Sequence, residues 1–229
     1  GFVFTFVGNI DPETLKPLAE KYIGSIPAAR KPLNYVDDKV EPVKGEVAKE
    51  FTAPMQQPKV SVVYYFSGKM PYTFKDKVAL TFLTQALDSR YLISIREEKG
   101  GTYGVSVQGS TEYIPRETYD MTISFDTNEE MADELCEIVM KEIEEIAANG
   151  PRSEDIEKTR EFMLKSWKNS LEMNSGWMNY IQAKYGSGLD YVGQYEQAVR
   201  NLTNADVQAL AKKLLDATPS LQPGSIGGD

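Results

Sequence analysis

The chain has 229 residues, 41% of them hydrophobic, enough for one large domain or for one domain with part of another. Its formal net charge of −9 repels phosphate backbones and argues against nucleic acid or an anionic membrane as a partner. With no histidine and one cysteine, Cys136, it excludes an internal disulfide, a Ser–His–Asp triad, a Cys–His pair, a histidine-bearing zinc helix and a four-cysteine zinc site.

Residues 2–8 open the chain with an apolar run, Phe2 to Val7, closed by Gly8 and Asn9. That pattern predicts a strand buried on both faces, and a strand at the very start predicts that chain, with any targeting segment, preceded it. Asp11 before Pro12 and Glu13 is N-cap chemistry with proline at the first helical position. The helix that follows carries Leu15, Leu18, Ala19, Tyr22 and Ile23 on one stripe and stops at Gly24. From Ile26 to Gly45 the chain is rich in proline and charge, which predicts an extended linker and a domain boundary.

Residues 47–67 read as a strand in which Val60, Val62, Tyr64 and Phe66 alternate with Ser61, Val63 and Tyr65. A helix is predicted from Tyr72 to Glu98, with Val78, Phe82, Leu83, Ala86, Leu87 and Ile95 at helical spacing and Gly100–Gly101 as its end. Strands over 103–113 and 118–126 follow, joined by a short link containing Pro115 that predicts a hairpin. In the second, Tyr119, Met121, Ile123 and Phe125 alternate with Asp120, Thr122 and Ser124, giving one buried and one wet face. A long helix over 128–148 closes on Asn149–Gly150–Pro151. Ser153 is placed to cap the next helix, which runs toward Tyr185 with a break near Asn174–Gly176. After a glycine-rich turn come a short helix over 190–201 and a last one to Leu215, opened by a capping box of Thr203 and Asp206. The tail, PSLQPGSIGGD, has the composition of disordered chain. The order of elements predicts an α+β fold, an antiparallel sheet with helices packed on it. No apolar run reaches the length of a transmembrane helix, and composition leaves the compartment open.

Most chemistry-bearing patterns have a plain structural reading. Gly186–Ser187–Gly188 has half of a dinucleotide fingerprint, but Tyr191 stands where the third glycine belongs and a helix precedes it. The glutamates and aspartates between Met131, Leu135, Ile138 and Ile146 read as a solvated face over an apolar stripe. Cys136 beside that stripe reads as a small buried residue, and Met163, Trp167, Trp177 and Met178 as packing residues. One segment differs: Arg96–Glu97–Glu98–Lys99–Gly100–Gly101–Thr102–Tyr103 sets an arginine at a helix end and a tyrosine at a strand start, across a double-glycine reversal. A fixed cation and a phenol donor aimed at one point suit a carbonyl that becomes an oxyanion. A cation at a helix C-terminus and a tyrosine in a strand are also ordinary structural placements.

The same segment resembles the C-terminal halves of the pitrilysin family of zinc metallopeptidases, which includes insulysin and the mitochondrial processing peptidases. The family's arginine and tyrosine, seven positions apart, match Arg96 and Tyr103. Phe4 to Asp11 resembles its strand–glycine–polar–apolar–aspartate segment, Ile23 to Pro27 its following close, and Asn201–Leu202–Thr203 its lead into a final helix. The resemblance implies that a zinc and its general-base glutamate sit on an N-terminal H-x-x-E-H helix outside this chain, and that this half closes over them. It implies that Tyr103 donates to the scissile carbonyl oxygen, that Arg96 stabilises or positions it, and that the substrate is a peptide or unfolded protein. It also departs from the family pattern, because members add a strand after the last helix where this chain has the glycine-rich tail.

These readings give a strand–helix remnant of a preceding repeat at 1–30, a linker at 31–45, a C-terminal α+β domain at 46–217 and a disordered tail at 218–229. The expected function is the C-terminal region of a zinc endopeptidase, inactive alone, with zinc in the full-length parent and none in this chain. Its partner is the zinc-bearing N-terminal half, in the same protein or in another subunit. A non-catalytic family relative serving assembly or substrate binding is the alternative. An unrelated α+β binding module is a weaker third.

Overall fold

The computed structural model describes residues 2–27, 35–41, 45, 47–51, 54, 59–97 and 104–217, apart from the side chains of 96, 97 and 217. Among them are three strands: β1 (Val60–Lys69), β2 (Val105–Glu112) and β3 (Thr118–Thr127). The helices are α1 (Pro12–Tyr22), α2 (Phe74–Tyr91), α3 (Glu129–Asn149), α4 (Ser153–Ser170), α5 (Asn174–Ser187), α6 (Glu196–Asn201) and α7 (Asn204–Ala217). The chain divides into two compact units, Gly1–Val40 with Leu164–Glu196, and Glu41–Met163 with Gln197–Asp229.

The larger unit holds the sheet, in the order β1–β3–β2 with both pairings antiparallel. This is the predicted α+β arrangement, and β2 and β3 form the predicted hairpin. Val62 opposes Phe125, Tyr64 opposes Ile123 and Phe66 opposes Met121, so the alternation read from the sequence lands on one face. On that face α2, α3 and α7 cover the sheet and bury Tyr64, Phe66, Met121 and Ile123. Phe82, Leu83, Leu87, Leu135, Ile143 and Leu214 are fully buried from the helix side, each contributing about 1.5–3 kcal/mol. α7 begins as predicted: Asp206 N–H donates to Thr203 Oγ1 at 3.2 Å, and Thr203 N–H donates to Asp206 Oδ2 at 3.0 Å. α3 ends at Gly150, whose φ of 80° is open to glycine and strained for other residues. In α4, Arg160 donates to the carbonyls of Arg200 and Leu202, both at 3.0 Å, and to that of Val199, capping the end of α6.

The smaller unit contains α1, α5 and the end of α4. Asp11 caps α1 as predicted, accepting from Glu13 N–H at 3.1 Å and Thr14 Oγ1 at 2.6 Å. α4 and α5 are joined at residues 171–173, and a Cβ on Gly176 would lie 1.9 Å from the Ser170 carbonyl oxygen, so only glycine fits there. Tyr180 stacks on Tyr191 with ring centroids 4.9 Å apart, and Tyr191 meets Tyr195 at 5.3 Å.

Several expectations are corrected. Residues 2–8 form no strand, and Phe2 and Val3 are 87% and 82% exposed, because none of the three described strands pairs with them. The apolar stripe of α1 buries no residue. β1 begins at Val60, not at 47, since 47–51 and 54 run without a ladder partner. The second helix is α-helical only over Phe74–Tyr91 and continues as a π-helical turn over Leu92–Glu97. Another π turn, Tyr191–Tyr195, precedes α6 where one short helix was expected. Ser153 is the first residue of α4 rather than its cap, and the Arg152 carbonyl accepts from Asp155 and Ile156 N–H instead. The break expected at 174–176 falls at 171–173. Gly100–Gly101, residues 28–34 and 42–44 of the 26–45 linker, and the 218–229 tail lie outside the described residues.

Candidate active-site segment

α2 is the helix that presents the arginine end of the segment. Thr73 opens it by accepting from Asp76 N–H at 3.2 Å. Val78, Leu80, Phe82, Leu83, Ala86 and Leu87 are buried around it, so it is a central helix rather than an amphipathic surface one. Tyr91 at its end and Ile95 in the π turn that follows are buried, and both the helix and that turn pack against α3. Tyr91 Oη donates to the Val139 carbonyl at 3.0 Å. Beside it, Tyr64 Oη donates to the Cys136 carbonyl at 3.5 Å. Burial, reinforced by the nearby Glu142 carboxylate, pushes the Tyr91 phenol well above its ordinary pKa. Burial also raises the Cys136 thiol, so this cysteine is an inert packing residue, as its sequence position suggested.

Arg90 and Glu142 complete the brace with an ion pair of 2.8 Å, their side chains 11% and 20% exposed. Sequence reading placed Glu142 on the solvated face of α3. The missed signal is its spacing, three residues after buried Val139 and four before buried Ile146, which sets it on the apolar stripe. Arg90 Nε is buried with no partner among the described residues, so the guanidinium is held mainly through its outer nitrogen.

The strand side of the segment is fixed against the same helix. A Cβ on Gly109 of β2 would lie 2.9 Å from Leu80 Cγ and 3.0 Å from Thr84 Cγ2, so glycine lets β2 approach α2 closely. Lys77 Nζ donates to Thr111 Oγ1 at 2.7 Å across the same contact. Val105 opposes Phe125 of β3, which pins the start of β2. The chain between Glu97 and Gly104 is therefore anchored at both ends by elements packed on one core.

Arg96 lies in the backbone of the π turn, a distortion often found at functional sites. Its side chain and the whole of Tyr103 lie outside the described residues. Among the described residues no group of three or more histidine, cysteine, aspartate or glutamate side chains could hold a metal ion. No helix there is long and apolar enough to cross a membrane.

The family model described as the peptidase M16 inactive domain matches residues 1–163. A zinc protease PQQL-like protein of Arabidopsis thaliana is 28% identical over 203 residues, covering 81% of this chain and 21% of its own length. The probable zinc protease PqqL of Escherichia coli is 24% identical, over 93% of this chain and 23% of its own. The crystal structure of the periplasmic protease PqqL from Escherichia coli shares the fold with a TM-score of 0.76 at 19% identity, over 96% of this chain and 24% of that one. A ferredoxin protease, FusC, solved in complex with Arabidopsis ferredoxin, matches with a TM-score of 0.72 at 17% identity, over 90% of this chain and 22% of that one. This chain thus spans about a fifth to a quarter of the length of these relatives. With more than half of its residues matched by the family model, the chain belongs to the peptidase M16 family, as its inactive domain.

Proposed function

We propose that this chain is the C-terminal region of a pitrilysin-like zinc endopeptidase and that it supplies Arg96 and Tyr103 to the substrate carbonyl. The zinc belongs to a part of the longer protein outside this chain. The donor set here does not fit a catalytic zinc: the sequence has no histidine, and no metal-binding group stands among the described residues. This chain's part is to bind and polarise. The Tyr103 phenol donates a hydrogen bond to the oxygen of the scissile group, and the Arg96 guanidinium offsets the charge that gathers there. Alone, the chain cleaves nothing.

What supports this reading is how the elements on either side of the segment are held: the π turn before it by Tyr91 and the Arg90–Glu142 pair, and the strand after it by the close approach at Gly109. Rigid supports on both sides are what a preorganised donor pair requires. The domain organisation goes with it, with 1–30 the remnant of a preceding repeat, 31–45 a linker and 46–217 the C-terminal domain. Exposed Phe2, Phe4 and Phe6 support the first assignment, since their apolar surface suits the sheet of another repeat. The substrate is a peptide or protein, the class that the ferredoxin complex of FusC illustrates for a relative of the same fold.

The test is turnover by the full-length parent. Tyr103→Phe is expected to lower kcat by about 10²–10³-fold and Arg96→Ala by a comparable factor. Near-normal turnover in both ends the assigned roles. The family model's description as an inactive domain favours one second reading, a non-catalytic assembly or substrate-binding subunit. A parent without H-x-x-E-H upstream would favour it over the peptidase reading.

A further inference from the structure

Among the described helices of the larger unit, those that pack on the sheet take one face of it. α2, α3 and α7 take the face that carries Tyr64, Phe66 and Ile123. The register fixes what stands on the other face. Read across β1, β3 and β2, its central rows are Val63–Ser124–Ser106, Tyr65–Thr122–Gln108 and Ser67–Asp120–Ser110. Val63 and Tyr65 are 65% and 54% exposed, flanked by short hydroxyl side chains.

Asp120 is the diagonal neighbour of Tyr65, one row along on the adjacent strand. Ser110 Oγ donates to Asp120 Oδ2 at 2.6 Å and orients the carboxylate. No cation among the described residues pairs with it. Partial burial raises the Tyr65 phenol, and the Asp120 charge adds to the rise. The other aspartate of this face, Asp126, is already neutralised, with Lys59 Nζ at 2.8 Å and Ser61 Oγ at 2.5 Å.

We propose that the sheet face carrying exposed Val63 and Tyr65 is a contact surface for extended polypeptide, on which Tyr65 and Asp120 form a subsite for an arginine or lysine side chain. The proposal rests on reading the chain as part of a peptidase, and it names the substrate chemistry which that reading leaves open. Charge complementarity selects the occupant. A guest cation finds a carboxylate that forms no ion pair among the described residues, an exposed ring for cation–π contact and a chain with net charge −9 behind them. Arginine fits better than lysine, because its plane stacks on the ring while its fork reaches the carboxylate. The hydroxyls of Ser106, Thr122 and Ser124 hydrogen-bond a passing backbone without demanding a sequence.

The experiment titrates the ¹⁵N-labelled chain with two peptides of one length, identical except that arginine in one is replaced by citrulline, a neutral group of the same shape, in the other. The arginine peptide is expected to shift amides in 61–67, 106–110 and 120–124 and to bind about fivefold or more tightly than the citrulline peptide. Asp120→Asn and Tyr65→Leu are each expected to bring its affinity down to the citrulline level while leaving amide dispersion unchanged. Equal affinities, shifts mapping to another face, no binding, or unaltered affinity in both variants would overturn the proposal. The readout is binding to the chain itself, so it is independent of whether Tyr103→Phe slows the parent.

Discussion

The two units of this chain show what a sheet does for a polypeptide. In the unit built on β1–β3–β2, residues from β1, β3, α2, α3 and α7 meet in one core, and Phe82, Leu83, Ile123 and Ile143 lose all contact with water. In the other unit, among the described residues, only Gly176 and Leu189 are buried. Its large apolar side chains stand exposed instead, Phe2, Phe4, Leu18 and Tyr22 among them. Pro17 also removes one backbone donor from inside α1. Local signals such as the Asp11 cap are as good in the smaller unit as in the larger, so capping and periodicity make helices without making a core. The proposed catalytic segment springs from the well-packed unit, where a donor can be held still.

Substitution at matched residues breaks the comparison most sharply. Leu83→Ala removes a fully buried side chain and is expected to cost about 2–5 kcal/mol, read as a lower denaturant midpoint. Leu18→Ala, at a residue 49% exposed, is expected to stay within about 0.5 kcal/mol. Equal losses at the two residues would mean that the smaller unit has a core after all. Hydrogen exchange sharpens the same point: amides of α1 and α5 are expected to exchange roughly 100-fold or more faster than those of α2 and β3. Protection of α1 equal to that of α2 would contradict the comparison.

A smaller effect concerns pH. Partial burial raises the Asp206 pKa, but Lys75 at 2.7 Å and the Thr203 hydrogen bonds outweigh it and hold the carboxyl below its ordinary value. A folded pKa below the unfolded one gives stability that is present above about pH 4 and is lost as pH falls through the folded value. Asp206→Ala should therefore cost about 1 kcal/mol at neutral pH, with the difference from wild type shrinking in acid. A difference that holds constant from pH 7 to pH 3 would mean that the carboxylate's charge is not what stabilises α7.

Sequence disclosed what depends on near neighbours. Asp11 with Pro12, Thr203 with Asp206, Gly150 and the alternation of Tyr119, Met121, Ile123 and Phe125 each carry their own physical reason within a few residues, and each stands as read. It failed where the reason lies elsewhere in space. Phe2 to Val7 has strand composition, but a strand exists only beside another, and no described strand lies there. The π turn after Tyr91 keeps helical composition while shifting its bonds, so it reads as plain helix. Glu142 looked solvated because its partner, Arg90, sits on another helix. Arg96 and Tyr103 were legible as a candidate pair only through a chemical pattern at fixed spacing and a family likeness.

The central claim is that Arg96 and Tyr103 act on one developing charge. A double-mutant cycle in the full-length parent tests it most directly, comparing kcat/KM for Arg96→Ala, Tyr103→Phe and the two combined. Groups that share an oxyanion are not independent, so the combined variant is expected to lose clearly less than the product of the two single losses. Losses that multiply cleanly would show two groups working at separate places and would contradict the account.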